Sequence, residues 1–234
     1  MMFAICILPT MTTTRLLGTL LTTRDEVLAA VCSTSGIPVS SVLAIGLFGS
    51  VDFYNADSEA LCVAIGAGLA LALPDKAVIL TGANAIVQEK ISRSFHDTRG
   101  SSTTRVYHLA PDGFTGCDWG FGEVLMAGQN MAERRELLAG TSAVGISVEG
   151  GPGTADEMSL LLSSSSSSSS AAVLLPLART GGASSGMFGA PAVARPEAVS
   201  EADWVLLADS SVSVDSSAAA MVRAVVAVLA RLET

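Results

Sequence analysis

The stretch Ser147 to Met158, SVEGGPGTADEM, sets three glycines, a proline and a threonine in front of two carboxylates. Gly150, Gly151 and Gly153 leave their amides uncovered, so a strand turning there into a helix would present bare N–H groups at the positive end of the helix dipole. A phosphate or carboxylate suits such a turn, and a plain tight turn is the other reading of the same residues. Thr154 is placed to cap a helix beginning near Ala155. Asp156 and Glu157 would then lie in its first turn, where carboxylates also serve as simple dipole partners.

A second charged group, Glu133, Arg134 and Arg135 in NMAERRELL, falls on the helix before the same strand. It reads either as a solvated face or as a second element of a site with Glu157. The run VLAIGLFGS ends in Gly49 and Ser50, which suits a buried strand entering a ligand loop. His96 and His108 are the only histidines, and His108, in a strand-like run, reads as a packed residue rather than a catalyst. Asp118 and Trp119 either read a base or fold onto the sheet end. Glu123 favours a helix dipole, and Arg179, Gly181 and Gly182 form either a ligand loop or a connector.

These residues need a scaffold. RDEVLAAVCSTSG is a helix with Thr23 as N-cap and Gly36 as its stop. Residues 42–50, AVILTG, RVYHLA, AVGISV, AAVLLPL and DWVLLA read as six strands. DSEALCVAIGAGLALAL, NAIVQEKISRSF, a long pattern over 122–138 and SSAAAMVRAVVAVLARLE read as helices, and PDGFTGCDWGFG as a loop. The alternation predicts an α/β fold, a Rossmann-like open parallel sheet of about six strands with helices on both faces. Ligands of such sheets bind beyond the carboxyl ends of the strands, where both glycine turns fall.

The expected organisation is an N-terminal extension with one helix over 1–38 and a nucleotide-binding domain over 39–234. Eight consecutive serines, 163–170, supply no apolar anchor and read as a marginal half-helix or a loop. The first residues hold no acid before Asp25 and many threonines, the composition of a transit peptide and equally of a loose extension. The cytoplasm is the expected location, with organelle targeting the alternative. A net charge of −9 with 13 Lys+Arg argues against nucleic acid and anionic membrane as partners and for a small molecule. Cys6, Cys32, Cys62 and Cys117 show no metal-ligand spacing and read as reduced, mostly packed thiols, so no metal site is expected.

MAERRELLAGTSAVGISVEGGPGTADE resembles the paired M-x-E-R-K and P-G-G-x-G-T-x-x-E motifs of the Lonely guy (LOG) family, cytokinin-activating phosphoribohydrolases once misannotated as lysine decarboxylases. The resemblance covers about residues 124–158 and keeps the family's separation between the motifs. It implies that Arg134 and Glu157 form a catalytic pair, that Gly150, Gly151, Gly153 and Thr154 cradle a phosphate, and that Gly49 and Ser50 belong to the first nucleotide loop. It also implies a homodimer without a cofactor, hydrolysing the N-glycosidic bond of a nucleoside 5′-monophosphate. Two departures stand out: Glu149 occupies the family's proline position, adding a negative charge beside the turn, and of a glycine triplet after the second strand only Gly82 remains, counted with the nucleotide-binding residues. GGPGTADE is similar as well to the G-P-G-T-A-x-E turn of molybdenum cofactor carrier proteins, which bind without catalysis. A catalytically dead assembly subunit is a third reading, and it requires a pocket blocked by Glu149 or by the turn-rich loop.

Overall fold

A computed structural model of the chain describes residues 19–100, 105–117, 119–164 and 172–233. Cys6, Asp118, most of the serine tract and the start of the N-terminal extension lie outside these residues. Six strands form one parallel sheet: β1 (Leu43–Gly49), β2 (Ala77–Thr81), β3 (Val106–Ala110), β4 (Glu123–Met126), β5 (Val144–Val148) and β6 (Val173–Leu177), in the order β4-β3-β2-β1-β5-β6. Seven α-helices accompany them among the described residues: α1 (Arg24–Ser35), α2 (Ser58–Ala72), α3 (Ile86–Arg99), α4 (Met131–Thr141), α5 (Pro152–Ser164), α6 (Glu201–Ala208) and α7 (Val214–Leu232).

The central strands are apolar on both faces because both faces are covered. Ile45 and Leu47 of β1 join the core under α2, α3 and α7, together with Ile65, Phe95 and Met221 from those helices. Ala44 and Phe48 of the same strand point the other way, into the core under α1, α4 and α5 with Val31, Leu138 and Met158. Helix α1 starts at a reciprocal cap between Thr23 and Glu26 and stops at Gly36 in the left-handed conformation, as its sequence predicts.

Two expected elements are corrected. The pattern over 122–138 is not one helix: Glu123–Met126 is β4, paired in parallel with Tyr107–Ala110. The helix begins only at Met131, where Asn130 Oδ1 accepts from the Ala132 and Glu133 amides. Gly128, at φ 79°, makes the turn between them, a conformation that a helix running through the segment could not contain. DWVLLA is not a strand but part of α6, capped by Ser200 and tied to α7 through Asp203 and Arg223. A short apolar run of this kind fits either element by periodicity. The total of six strands stands because β4 replaces the segment at 203–208.

The sheet gains one further backbone pairing at its β4 end. Leu21 donates to the Met126 carbonyl and accepts from the Gly128 amide, both at 2.8 Å.

Helices α2 and α3 approach so closely that a Cβ at Gly66 would overlap the Ile91 carbonyl oxygen and lie 2.8 Å from Ser94 Cβ. Gly140, in α4, has open space around it. Gly66→Ala is therefore expected to lose about 1–3 kcal/mol by overpacking, while Gly140→Ala gains up to about 1 kcal/mol from helix propensity. Urea unfolding of the two variants beside the parent checks the opposite signs.

Candidate functional site

Strands β1 and β5 are neighbours, paired from Ile45↔Val144 to Gly49↔Val148, and the strand order reverses direction between them. The chain leaves β1 toward α2 on one face and leaves β5 toward α5 on the other, which opens a crevice at the carboxyl ends. A cleft of about 250 Å³ lies there. Of the residues singled out in the sequence, Gly49, Ser50, Arg134, Gly151, Gly153, Thr154 and Glu157 line it. Gly82 and Gly150 stand just behind the wall, holding lining residues in place.

Gly150 has φ 96°, and a Cβ there would strike the Thr154 side chain, with Oγ1 at 2.5 Å. The turn is tight enough that α5 starts at Pro152, earlier than the sequence suggests. Proline suits the first helical position because its absent N–H would have had no partner in the helix. Gly151 O accepts from the Ala155 amide at 3.1 Å, which makes Gly151 the N-cap residue, and glycine has no side chain with which to cap. The Gly153 and Thr154 amides, in the first turn, have no acceptor within the helix. Thr154 is thus inside the helix rather than its cap, and Asp156 and Glu157 fall in the second turn rather than the first.

Placement in the second turn carries Glu157 inward. Arg134, from α4, donates through Nη1 to Glu157 Oε1 at 2.6 Å, with Arg134 1% and Glu157 4% exposed. This rejects the solvated-face reading for Arg134. Gly82 makes its position possible, since a Cβ there would overlap the guanidinium. The Gly82 amide donates to Gln88 Oε1 at 2.7 Å, so that group is already occupied. Arg134 Nε is buried with no hydrogen-bond partner among the described residues. Burial pushes the Glu157 carboxyl above the usual carboxylate range, and the Arg134 charge only partly opposes this. Arg135 lies over the turn, its Nη2 2.8 Å from where a Gly153 Cβ would stand, and faces Asp156 at 3.6 Å.

The remaining sequence candidates are structural in their observed contacts. Ser50 Oγ turns away from the cleft onto Glu149 Oε2 at 2.7 Å and the Asp52 carbonyl at 2.5 Å. Arg179 is buried, paired with Asp57 and bonded to Ser217 Oγ at 2.6 Å. Gly182 packs on the Gly150 carbonyl, and Ala183 donates to that oxygen at 2.8 Å, so this segment floors the glycine turn instead of lining the cleft. His108 is buried between Thr81 Oγ1 and the Phe121 carbonyl, each 2.9 Å away. The carbonyl requires the proton on Nε2, and desolvation lowers the imidazole pKa to about 4. Trp119 folds against His108 and Phe121. Cys62 is fully buried, with Cys32 and Cys117 half-buried. Among the described residues no three His, Cys, Asp or Glu side chains could share a metal ion, and no helix is long and apolar enough to cross a membrane.

Tyr54, Asn84, Ala85 and Gln88 also line the cleft. Sequence reasoning missed them because Tyr54, Asn84 and Ala85 reach it from the β1–α2 and β2–α3 connections and Gln88 from the first turn of α3, none of which carries a motif at those residues. Arg135 was the exception, legible through its adjacency to Arg134.

No family model and no curated protein matches the chain. Among solved structures it is similar to TM1055, a structural-genomics target, at 19% identity and a TM-score of 0.51, over 61% of this chain and 78% of that one. The chain shares the Rossmann-like fold. Two structures of the molybdenum cofactor carrier protein from Chlamydomonas reinhardtii are similar at 21% and 22% identity, with TM-scores of 0.42 and 0.41. They cover 52% and 53% of this chain and 71% and 72% of their own. Likeness at these identities is a likeness of fold.

A carboxyl whose pKa is raised on folding binds its proton more tightly in the folded state. Its contribution to stability is therefore full below the unfolded glutamate value and is lost as pH rises through the folded one. The stability of the parent relative to Glu157→Gln, which does not titrate, is expected to fall across that window as pH rises. Denaturant unfolding at a series of pH values measures it, and a difference that grows with pH would contradict the assignment. Gly82→Ala, which displaces the Arg134 guanidinium, is expected to destabilise by about 3–5 kcal/mol if the buried pair breaks outright, read in the same unfolding assay.

Proposed function

We propose that this protein binds a nucleoside 5′-monophosphate in the cleft between β1 and β5 and hydrolyses its N-glycosidic bond. The observation that carries the reading is the buried Arg134–Glu157 pair opening onto the uncapped start of α5. The two parts answer the two ends of such a ligand.

At the phosphate end, the Gly153 and Thr154 amides and the dipole of α5 supply fixed donors, with Arg135 as a nearby cation. Binding energy gathered there orients the sugar. At the sugar end, Glu157 faces the bond to be broken. Loss of the base leaves C1′ electron-poor, and a carboxylate both stabilises that oxocarbenium-like charge and takes a proton from the attacking water. The C1′–N bond breaks with its electron pair on the base, the water oxygen forms the new bond at C1′, and the proton taken from the water is balanced by one gained by the departing base, giving free base and ribose 5-phosphate. The environment that raises the Glu157 pKa makes its ionised form a stronger base. Arg134 orients this carboxylate and keeps it from being an isolated buried charge.

The ligand is a small molecule rather than nucleic acid or a membrane surface, in keeping with the net charge of −9. The resemblance implies a homodimer. A second reading, a non-catalytic carrier of a phosphorylated cofactor such as the molybdenum cofactor, draws on Gly82. Its amide is spent on Gln88, leaving one turn fewer to hold a nucleotide. Such a carrier needs the turn but not the pair.

A panel of nucleoside 5′-monophosphates assayed for ribose 5-phosphate separates the readings. The parent is expected to release it and Glu157→Gln to lose at least about 100-fold in rate. Binding without release by the parent would favour the carrier.

A further inference from the structure

Glu149 is the residue that the resemblance leaves unexplained, and its surroundings give it a task. It is completely buried, yet among the described residues no arginine or lysine is one of its hydrogen-bond partners. Its backbone stands at φ 53°, a left-handed conformation that costs a non-glycine residue about 1 kcal/mol or more and persists only where surrounding contacts fix it.

Those contacts involve every polar group that the residue has. Its amide donates to Thr180 Oγ1 at 2.9 Å, and its carbonyl accepts from the Ser184 amide and hydroxyl, each at 2.9 Å. The side chain reaches the opposite wall of the crevice. Its carboxylate accepts from the Asn55 amide at 2.8 Å, from the Tyr54 amide at 3.1 and 3.2 Å, and from Ser50 Oγ at 2.7 Å. One acid therefore joins the β5–α5 turn, on the phosphate side of the cleft, to the β1–α2 loop, which contributes Ser50, Val51 and Tyr54 to its other wall.

We propose that Glu149 is a positioning residue, a latch whose carboxylate holds the loop over residues 50–55 against the glycine turn and so sets the width of the cleft. The charge is directed into the loop's amides, away from the phosphate side. The Ser50 hydroxyl lies between the Glu149 carboxylate and the Asp52 carbonyl, its one proton shared between the latch and the loop's own backbone. It also places Tyr54, 72% exposed, at the cleft mouth with its backbone tied and its ring free to meet a ligand. Only this last consequence rests on the nucleotide reading.

Amide hydrogen exchange tests the latch without reference to catalysis. In the parent, the Tyr54 and Asn55 amides are expected to be protected. In Glu149→Gln, a side-chain NH₂ replaces one acceptor oxygen, so their exchange should rise at least about tenfold while amides in the middle of α5 keep their parent rates. Ser50→Ala, which removes the hydroxyl's contacts to Glu149 and the Asp52 carbonyl but leaves both amide bonds to the carboxylate in place, should raise the same two rates by a smaller factor and keeps the test available if Glu149→Gln does not fold. Unprotected Tyr54 and Asn55 amides in the parent, or unchanged exchange in the variants, would overturn the proposal.

Binding of adenosine 5′-monophosphate, followed by calorimetry, provides the second readout. Glu149→Gln is expected to weaken it about tenfold, with KM raised and kcat kept within about threefold if the parent hydrolyses the nucleotide. Affinity unchanged by the substitution would show that the loop does not shape the cleft. A parent that binds no nucleotide contradicts the nucleotide reading instead, and the exchange rates then decide the latch by themselves.

Discussion

The reversal of strand order between β1 and β5 is the constraint on which the rest of this protein depends. Two parallel strands lie side by side, and the chain leaves their carboxyl ends toward opposite faces of the sheet. The backbone must therefore separate at that point, and neither exit can fill the gap with its own helix. The residues that converge on it come from α3, α4, α5 and the connections that follow β1, β2 and β5. Each of these helices is anchored in one of the two cores, so the cleft is a product of the topology before any functional residue is considered.

The Arg134–Glu157 pair uses this geometry in a way that stability alone does not explain. Taking both charges out of water costs several kcal/mol for each ion, and an apolar pair of similar volume often does as well or better. The upward shift of the Glu157 pKa shows burial outweighing the attraction of the guanidinium. The surroundings have also been cut to fit the pair: Gly82 yields its side-chain volume to the guanidinium. Such an arrangement holds a charged group in one orientation inside a poorly solvated space, which is what preorganised electrostatics requires.

Most of the fold could be read from the chain because a doubly covered parallel sheet writes its strands as uninterrupted apolar runs. LAIGLFG, AVILT and VGISV are β1, β2 and β5. Where burial is partial the signal fails: β4 is an edge strand with a half-buried pattern, and its four residues merged with the helix that follows Gly128. The converse error at Trp204–Leu207 arose because a short helix against α7 carries the same dense apolar composition as a strand. At the site, the glycine turn and the Arg134 and Glu157 pair were legible through local patterns. The inward course of the Glu149 side chain was not, since it depends on a left-handed backbone that Thr180 and Ser184 impose from far along the chain. Gln88 and Tyr54 escaped notice for the related reason that their position is a property of the assembled crevice.

The backbone pairing of Leu21 has a consequence for how the molecule avoids its own kind. An open parallel sheet ends in strands whose outer amides and carbonyls can recruit a strand from another chain. At the β4 end, Leu21 pairs beside Ala127, and the backbone on either side of that residue donates and accepts through Gly128 and Met126. The capped start of α1 follows immediately, leading the chain away across a sheet face. This short segment therefore acts as a guard on the terminus of β4. Leu21 is also buried in the core under α1, so proteolytic nicking between it and α1 would uncover hydrogen-bonding edge and loosen that core together, turning a local cut into a template for aggregation.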